Sequence, residues 1–308
     1  MKNGKLKTFL GIVAVFTLTV VFVACDDGST TVTGTENVIV YIAGYYSDGD
    51  RSIACYWKDG IKTDLSAGTG YSVTNAIAAS GNSIYIAGYY SDGDRIIACY
   101  WKDGIKTDLL GSGNSSTASA ITISGNSIYV LGNDIYDGGN NRACYWKDEV
   151  KTDLTIEAGN EIDNRTNAIT VSGGSVYIAG FYYDVMKAIA CYWKDGVKTN
   201  LPAGTGHSMA YAIAAFEGSI YIAGFYDDGD DRKLCYWKDG VKVDFPTIDT
   251  SGFYINLIAV SDGSIHCAGY SGSRGSYSPH YWKNGVRTDL PKGTGPSRAY
   301  DIMVVSLK

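Results

Sequence analysis

The chain is short of basic charge. Of its 308 residues, 26 are lysine or arginine and 32 are aspartate or glutamate, a net charge of −6. No basic run stands out beyond Lys2, Lys5 and Lys7, so nucleic acid is not an expected partner. Histidine is scarce too. His207, His266 and His280 are the only three, and none has His-x-x-x-His spacing, which leaves no helix-borne metal motif. The longest apolar run, Phe9 to Val23, has 15 residues, fewer than the roughly 20 that a spanning helix needs. No 3.6-residue hydrophobic period is sustained, which argues against a helical domain.

What the chain does have is a repeat. Cys55-Tyr56-Trp57-Lys58-Asp59-Gly60 returns as Cys99 to Gly104, Cys144 to Asp148, Cys191 to Gly196 and Cys235 to Gly240. A worn copy is His280-Tyr281-Trp282-Lys283-Asn284-Gly285. All six tryptophans lie in these copies, at spacings of 44, 45, 47, 44 and 45 residues. A fixed period of this size marks a repeat architecture. Within one period, Asn75–Ser80 reads as a strand and Gly81-Asn82 as a tight turn. Ser83–Tyr90 reads as a second strand, and Ser91–Asp94 as a polar loop. Arg95–Lys102 is a third strand, Asp103-Gly104 a hairpin turn, and Ile105–Leu109 a fourth strand. Four short strands per period are one propeller blade. The expected fold is therefore all-β, a six-bladed β-propeller of four-stranded blades.

The ends of the repeat predict how the ring closes. Residues 37–44 read as a second strand with no first strand before it, and Ala299–Val305 as a first strand with nothing after it. The C-terminal strand should complete the N-terminal blade, which removes an open sheet edge. Each first strand carries an isoleucine: Ile77, Ile121, Ile169, Ile213, Ile258 and Ile302. These are expected to pack between blades near the axis. The tryptophans should wedge between neighbouring sheets.

Residues 1–25 read as an export signal. The basic start and apolar run end in Phe22-Val23-Ala24-Cys25. This resembles a bacterial lipobox, with Phe22 where leucine is usual, and implies lipidation of Cys25. Residues 26–36 are polar and rich in glycine, serine and threonine, a flexible tether, and residues 37–308 form the propeller. From residue 37 on, the chain resembles bacterial β-propeller repeat proteins with a kelch-like or TolB-like layout. More narrowly, it resembles bacterial lipoproteins that carry a Tyr-Trp-Lys-Asn-Gly repeat. The resemblance implies a monomer anchored by lipid in the cell envelope, on the periplasmic face or at the cell surface, and it implies no activity.

Six cysteines remain after Cys25, and five hold equivalent places in successive repeats. Equivalent positions on third strands of a six-fold ring are roughly 15 Å apart, from strands about 4.8 Å apart. A disulfide needs Cα atoms within about 7 Å, so free, buried thiols are expected, with no metal and no cofactor.

The Gly-Asn and Asp-Gly turns share one face and are nearly the same in every blade. The other face carries connections that differ, and variable loops on a rigid scaffold are where binding concentrates. The expected rim of the channel on that face comprises Tyr71, Thr74, Asn164, Arg165, His207, Tyr211, Phe253, Tyr254, Asn256, Arg298 and Tyr300, with Asp301 on the last strand. Tyrosine, asparagine and arginine suit a glycan, peptide or protein ligand. The first expectation is thus a non-catalytic binding module. The alternative is a glycan-cleaving, sialidase-like hydrolase. Against it, the Ser-x-Asp-x-Gly-x-x-Trp box is missing, and Arg51, Arg95, Arg142 and Arg232 are dispersed over four blades. The loops Asp48-Gly49-Asp50, Asp92-Gly93-Asp94 and Asp227–Asp231 could offer oxygen ligands to Ca²⁺. They lack the longer Asp-x-Asp-x-Asp-Gly ladder and read better as solvated turns.

Overall fold

A computed structural model describes residues 41–65, 67–68, 70–136, 141–154, 165–184, 186–245, 253–272 and 277–290. They form six antiparallel sheets, one per repeat. Blade two shows the pattern, with strands Ser72–Ser80, Ser83–Ser91, Ile96–Lys102 and Ile105–Leu109 in spatial order. Blades three to six also have four strands. Among the described residues blade one has three: Tyr41–Ser47, Ser52–Lys58 and Ile61–Asp64. Successive blades meet chiefly along their first strands, so the first strands form the inner edge and the fourth strands the outer one. The strand expected to complete blade one, Ala299–Val305, lies outside the described residues.

Seven of the eight blade-two strand boundaries agree with the sequence reading to within a residue, but the first strand begins earlier. It starts at Ser72 rather than Asn75, because a bulge at Asn75 lets pairing continue beyond it. A bulge leaves one extra residue on one strand without ending the ladder. It recurs at Ser119, Asn167, Tyr211 and Asn256. Rim residues expected on variable loops, such as Phe253 and Tyr254, therefore lie on strand ends. The bulge also explains a glycine column. A Cβ at Gly88 would lie 2.1 Å from the Val73 carbonyl oxygen, and one at Gly224 would lie 2.0 Å from that of Met209.

Side chains then join one blade to the next. The amide of Asn75 donates to the Ala118 carbonyl of blade three, and that of Asn167 to the Ala210 carbonyl of blade five, both at 2.7 Å. The buried hydroxyls of Ser72, Ser116 and Ser208 accept the N–H of Ala54, Ala98 and Ala190 in the preceding blade's third strand. Trp101, Trp146, Trp193, Trp237 and Trp282 are fully buried, each in an apolar cluster shared by two blades. Ile77 and Ile121 are buried in such clusters as well. An indole buries about 150–250 Å², so each wedge contributes a large apolar contact between two sheets.

The motif aspartate also has a structural role. Asp103 has φ of 50° and Gly104 of 85°, the positive values that a two-residue hairpin turn of this kind requires. Its Oδ1 accepts the N–H of Ile84 at 3.0 Å, tying the third–fourth turn to the first–second turn. Asp148, Asp195, Asp239 and Asn284 repeat this bond. Six cysteines, Cys55, Cys99, Cys144, Cys191, Cys235 and Cys267, are buried free thiols. Burial pushes the Cys55 thiol up to about 11.

Candidate functional site

Consecutive antiparallel strands put the uniform turns at one end of each sheet and the two remaining connections at the other. On the uniform face blades one to five repeat one surface, and blade six has His266 in place of its tyrosine. Lys58, Lys102, Lys147, Lys194 and Lys238 lie over Tyr41, Tyr85, Tyr129, Tyr177 and Tyr221 at 5.3–5.6 Å. A shallow cleft between blades four and five, lined by Tyr177, Tyr192 and Lys194, belongs to this repeated surface.

The opposite face breaks the repeat. The second strand carries an aromatic directly after its glycine in most blades: Tyr45, Tyr89, Phe181, Phe225 and Tyr270, with Asn133 in blade three. In blades four to six these rings meet those of the first strands. Phe181 and Tyr211 are 6.3 Å apart, Tyr211 and Phe225 6.0 Å, and Phe225 and Tyr254 6.5 Å at 90°. Tyr254 stacks on Tyr270 at 5.2 Å, and Tyr270 meets Tyr277 at 5.2 Å. Tyr183 extends the other end, 5.8 Å from Phe181. The phenylalanines are buried and the tyrosines half-buried, so an apolar floor carries a row of partly accessible rings. Burial pushes the Tyr211 phenol up to about 12, so it is neutral at physiological pH. Its position follows from the sequence: Tyr211 is the bulge residue where blades two and four have a bridging asparagine.

One cation lies in the arc. The Arg232 guanidinium sits 3.7 Å from the centre of Phe225 and 5.4 Å from that of Tyr254. Its Nε is 3.1 Å from Asp227 Oδ1. Arg51 and Arg95 pair instead with Asp48 and Asp92 of their own blades, and Arg142 lies over Tyr136. The four arginines do not converge on one point.

The expected rim is thus partly assembled. Tyr211 and Tyr254 are in the arc. Tyr71 forms a smaller pair with Tyr89, 6.4 Å away, at the entry to blade two. Thr74 is buried, its hydroxyl donating to the Gly44 carbonyl. Arg165 opens the first strand of blade four, paired with Phe181 in register. Asn256 is the bulge residue of blade six. His207 is committed elsewhere, since its Nδ1 accepts the Ala188 N–H at 3.1 Å, the bond Ser115 makes to Ile96 two blades earlier. Phe253 packs on His280 and Trp282 of its own blade. Asn164, Arg298, Tyr300, Asp301 and Cys25 lie outside the described residues. The acidic loops close on themselves: Asp48 Oδ1 accepts the N–H of Asp50 and Arg51, and Asp92 Oδ1 those of Asp94 and Arg95. Those backbone bonds hold both carboxyls below the usual range. Among the described residues no three His, Cys, Asp or Glu side chains gather to hold a metal ion.

Sequence reasoning missed a second constellation, in blade six. Ser271 Oγ is 2.7 Å from His280 Nε2, and His280 Nδ1 is 2.9 Å from Asp289 Oδ1. In blades two and five the second-strand tyrosine, Tyr90 or Tyr226, donates its hydroxyl directly to Asp108 or Asp244. Blade six replaces that tyrosine with serine and the motif cysteine with histidine. The two replacements in one blade were the available signal.

The chain is a β-propeller of repeated four-stranded sheets. It is similar in fold to the β-propeller domain of the Trilobed protease from Pyrococcus furiosus, described as having an open velcro topology. The two share 9% identity over 83% of this chain and 80% of that one, with a TM-score of 0.50. No protein-family model and no curated protein matches the chain.

Proposed function

We propose that the protein is a ligand-binding propeller of the bacterial cell envelope, held to a membrane by lipid on Cys25, and that the arc from Tyr183 to Tyr277 is its binding surface for a glycan. The observation that carries this reading is the arc itself: half-buried tyrosines over a phenylalanine floor, beside the Arg232–Asp227 pair. Ring faces pack against the C–H faces of a sugar, and the ion pair supplies donors and acceptors for its hydroxyls. Tyrosine and arginine are also the side chains that dominate binding energy.

We also propose that the ring closes through the C-terminal strand. Asn75 and Asn167 each reach the next blade's first strand at Ala118 and Ala210. Asn256 holds the same bulge position in blade six. The residue aligned with Ala118 and Ala210 in the last copy of the repeat is Ala299. On this reading Tyr300 takes the bulge position of Tyr211.

A glycan array probed with the detergent-solubilised full chain tests the binding claim. The expected result is a coherent set of bound glycans, and loss of binding in Tyr254→Ala by about 30-fold, the equivalent of one hot spot of about 2 kcal/mol. An array on which no glycan is retained would refute the glycan reading. Cys25→Ala should move the protein from the membrane to the soluble fraction; retention of that variant in the membrane would refute the anchor.

A further inference from the structure

Beyond binding, we propose that Ser271, His280 and Asp289 form a serine esterase site in blade six. The three residues are neighbours on adjacent strands: His280 pairs with Asp289 in register, and Ser271 lies diagonally across from His280. The Asp289 carboxylate accepts the Nδ1 proton, which leaves the Nε2 lone pair to accept from the Ser271 hydroxyl. This is the proton arrangement that makes a serine nucleophilic. Arg287 Nε lies 3.0 Å from the same Asp289 oxygen and fixes the carboxylate. The imidazole is buried, with Phe253 at 4.9 Å and Trp282 at 5.8 Å from its centre. Ser271 is half-buried at the end of its strand, on the variable face.

Packing accounts for the volume of the exchange, since an imidazole and a small serine can share the space of a phenol over a cysteine. Volume alone does not account for the relay: two short hydrogen bonds in series replace one direct bond, and both ring nitrogens are used. Apolar rings around the histidine suit a short, uncharged acyl chain, so the substrate class is a short-chain acyl ester. Ser271 Oγ attacks the ester carbon as its proton passes to His280 Nε2. The tetrahedral adduct collapses, and the leaving alkoxide takes that proton and departs as the alcohol. Water then attacks the acyl-serine with the proton moving along the same path, releasing the carboxylic acid and restoring Ser271. Asp289 positions the imidazole without touching the substrate.

The test uses the full chain with a fluorophosphonate probe and p-nitrophenyl acetate. One phosphonyl group per chain is expected, mapped to Ser271 by mass spectrometry. Ester hydrolysis above the uncatalysed rate is expected. Ser271→Ala should remove both signals. Asp289→Asn should slow hydrolysis at least tenfold, and Asp289→Glu should restore part of it, which a merely structural carboxylate would not do. The double variant Ser271→Tyr with His280→Cys recreates the arrangement of the other blades, and should melt like the wild type yet be inert. An unlabelled Ser271, with wild-type hydrolysis no faster than that of Ser271→Ala, would overturn the proposal. Glycan binding by the arc is untouched by either outcome, because Tyr254 is not one of the three residues.

Discussion

Lys151→Met should be among the most damaging single changes at a polar residue of this chain, while the same change at the equivalent Lys106 should be mild. In blades one, two, four and five this lysine lies over a tyrosine ring, at 3.4–3.7 Å. Blade three has Asp134 in place of the tyrosine. Asp134 is completely buried, and Lys151 Nζ is 2.6 Å from its carboxylate. The N–H groups of Ser112 and Gly113 donate to the same carboxylate at 2.7 and 3.0 Å. Removing one partner of a buried pair costs about 3–5 kcal/mol, because a buried charge is left behind. For a domain of this size that is a fall in Tm of about 6–20 °C. Lys106 faces Asp108, which is 40% exposed, and Tyr90. An exposed ion pair and a cation–π contact together contribute about 1 kcal/mol, or about 2–4 °C.

The pH dependence separates this account from general damage. Burial raises the Asp134 carboxyl, but Lys151 and the two amides outweigh it and hold the group below its usual range. A depressed folded-state value means stability that is present above the unfolded pKa, about 3.9, and lost as pH falls through the folded value. The deficit of Lys151→Met should therefore be widest above about pH 5 and shrink below pH 4. Calorimetry of both variants from pH 3.5 to 7.5 reads it. Equal losses for Lys106→Met and Lys151→Met, or a deficit that does not change with pH, would refute the reasoning.

Two further outcomes are expected, the first from the structure and the second from the proposed closure. Ser208→Ala leaves the buried N–H of Ala190 without its acceptor, so a loss of about 1–3 kcal/mol is expected in urea unfolding; a midpoint unchanged from wild type would contradict the blade-to-blade latch. Deleting Ala299–Lys308 should expose the inner edge of blade one and cause aggregation, seen by light scattering, and a truncated chain that stays monomeric with the wild-type Tm would contradict closure.

The architecture was legible because its signals are local. The tryptophan period, the Asp-Gly turns and the apolar alternation each occupy a few adjacent residues, and six copies reinforce one another. The bulge was not legible. It adds one residue to a strand whose register depends on its partner, and its column of Asn75, Ser119, Asn167, Tyr211 and Asn256 has no single signature. This is why strand ends such as Phe253–Ile255 read as loops. Tyr211 and Tyr254 were identifiable from the chain because they lie at the entries to the first strands, where the sequence differs from blade to blade. Phe181, Phe225 and Tyr270 follow the second-strand glycine just as Tyr45 and Tyr89 do, so nothing in the sequence set them apart, and only the tertiary arrangement brings Arg232 over Phe225. His207 misled because an exposed histidine at a strand entry looks like a ligand contact, whereas its Nδ1 is committed to the Ala188 amide. The Ser271–His280–Asp289 relay lay at intervals of nine residues along a worn copy of the motif, and pairing across three strands was needed to bring it together.

The most direct test of the binding surface is hydrogen exchange of the protein with and without a glycan selected on the array. Protection is expected in the strand ends that carry the arc: Ser175–Asp184, Ser208–Phe216, Ser219–Asp228, Phe253–Ser261 and Ser264–Ser271. Protection confined to the opposite face, at the hairpins of Asp59, Asp103 and Asp195, would show that the ligand binds there and would contradict the account.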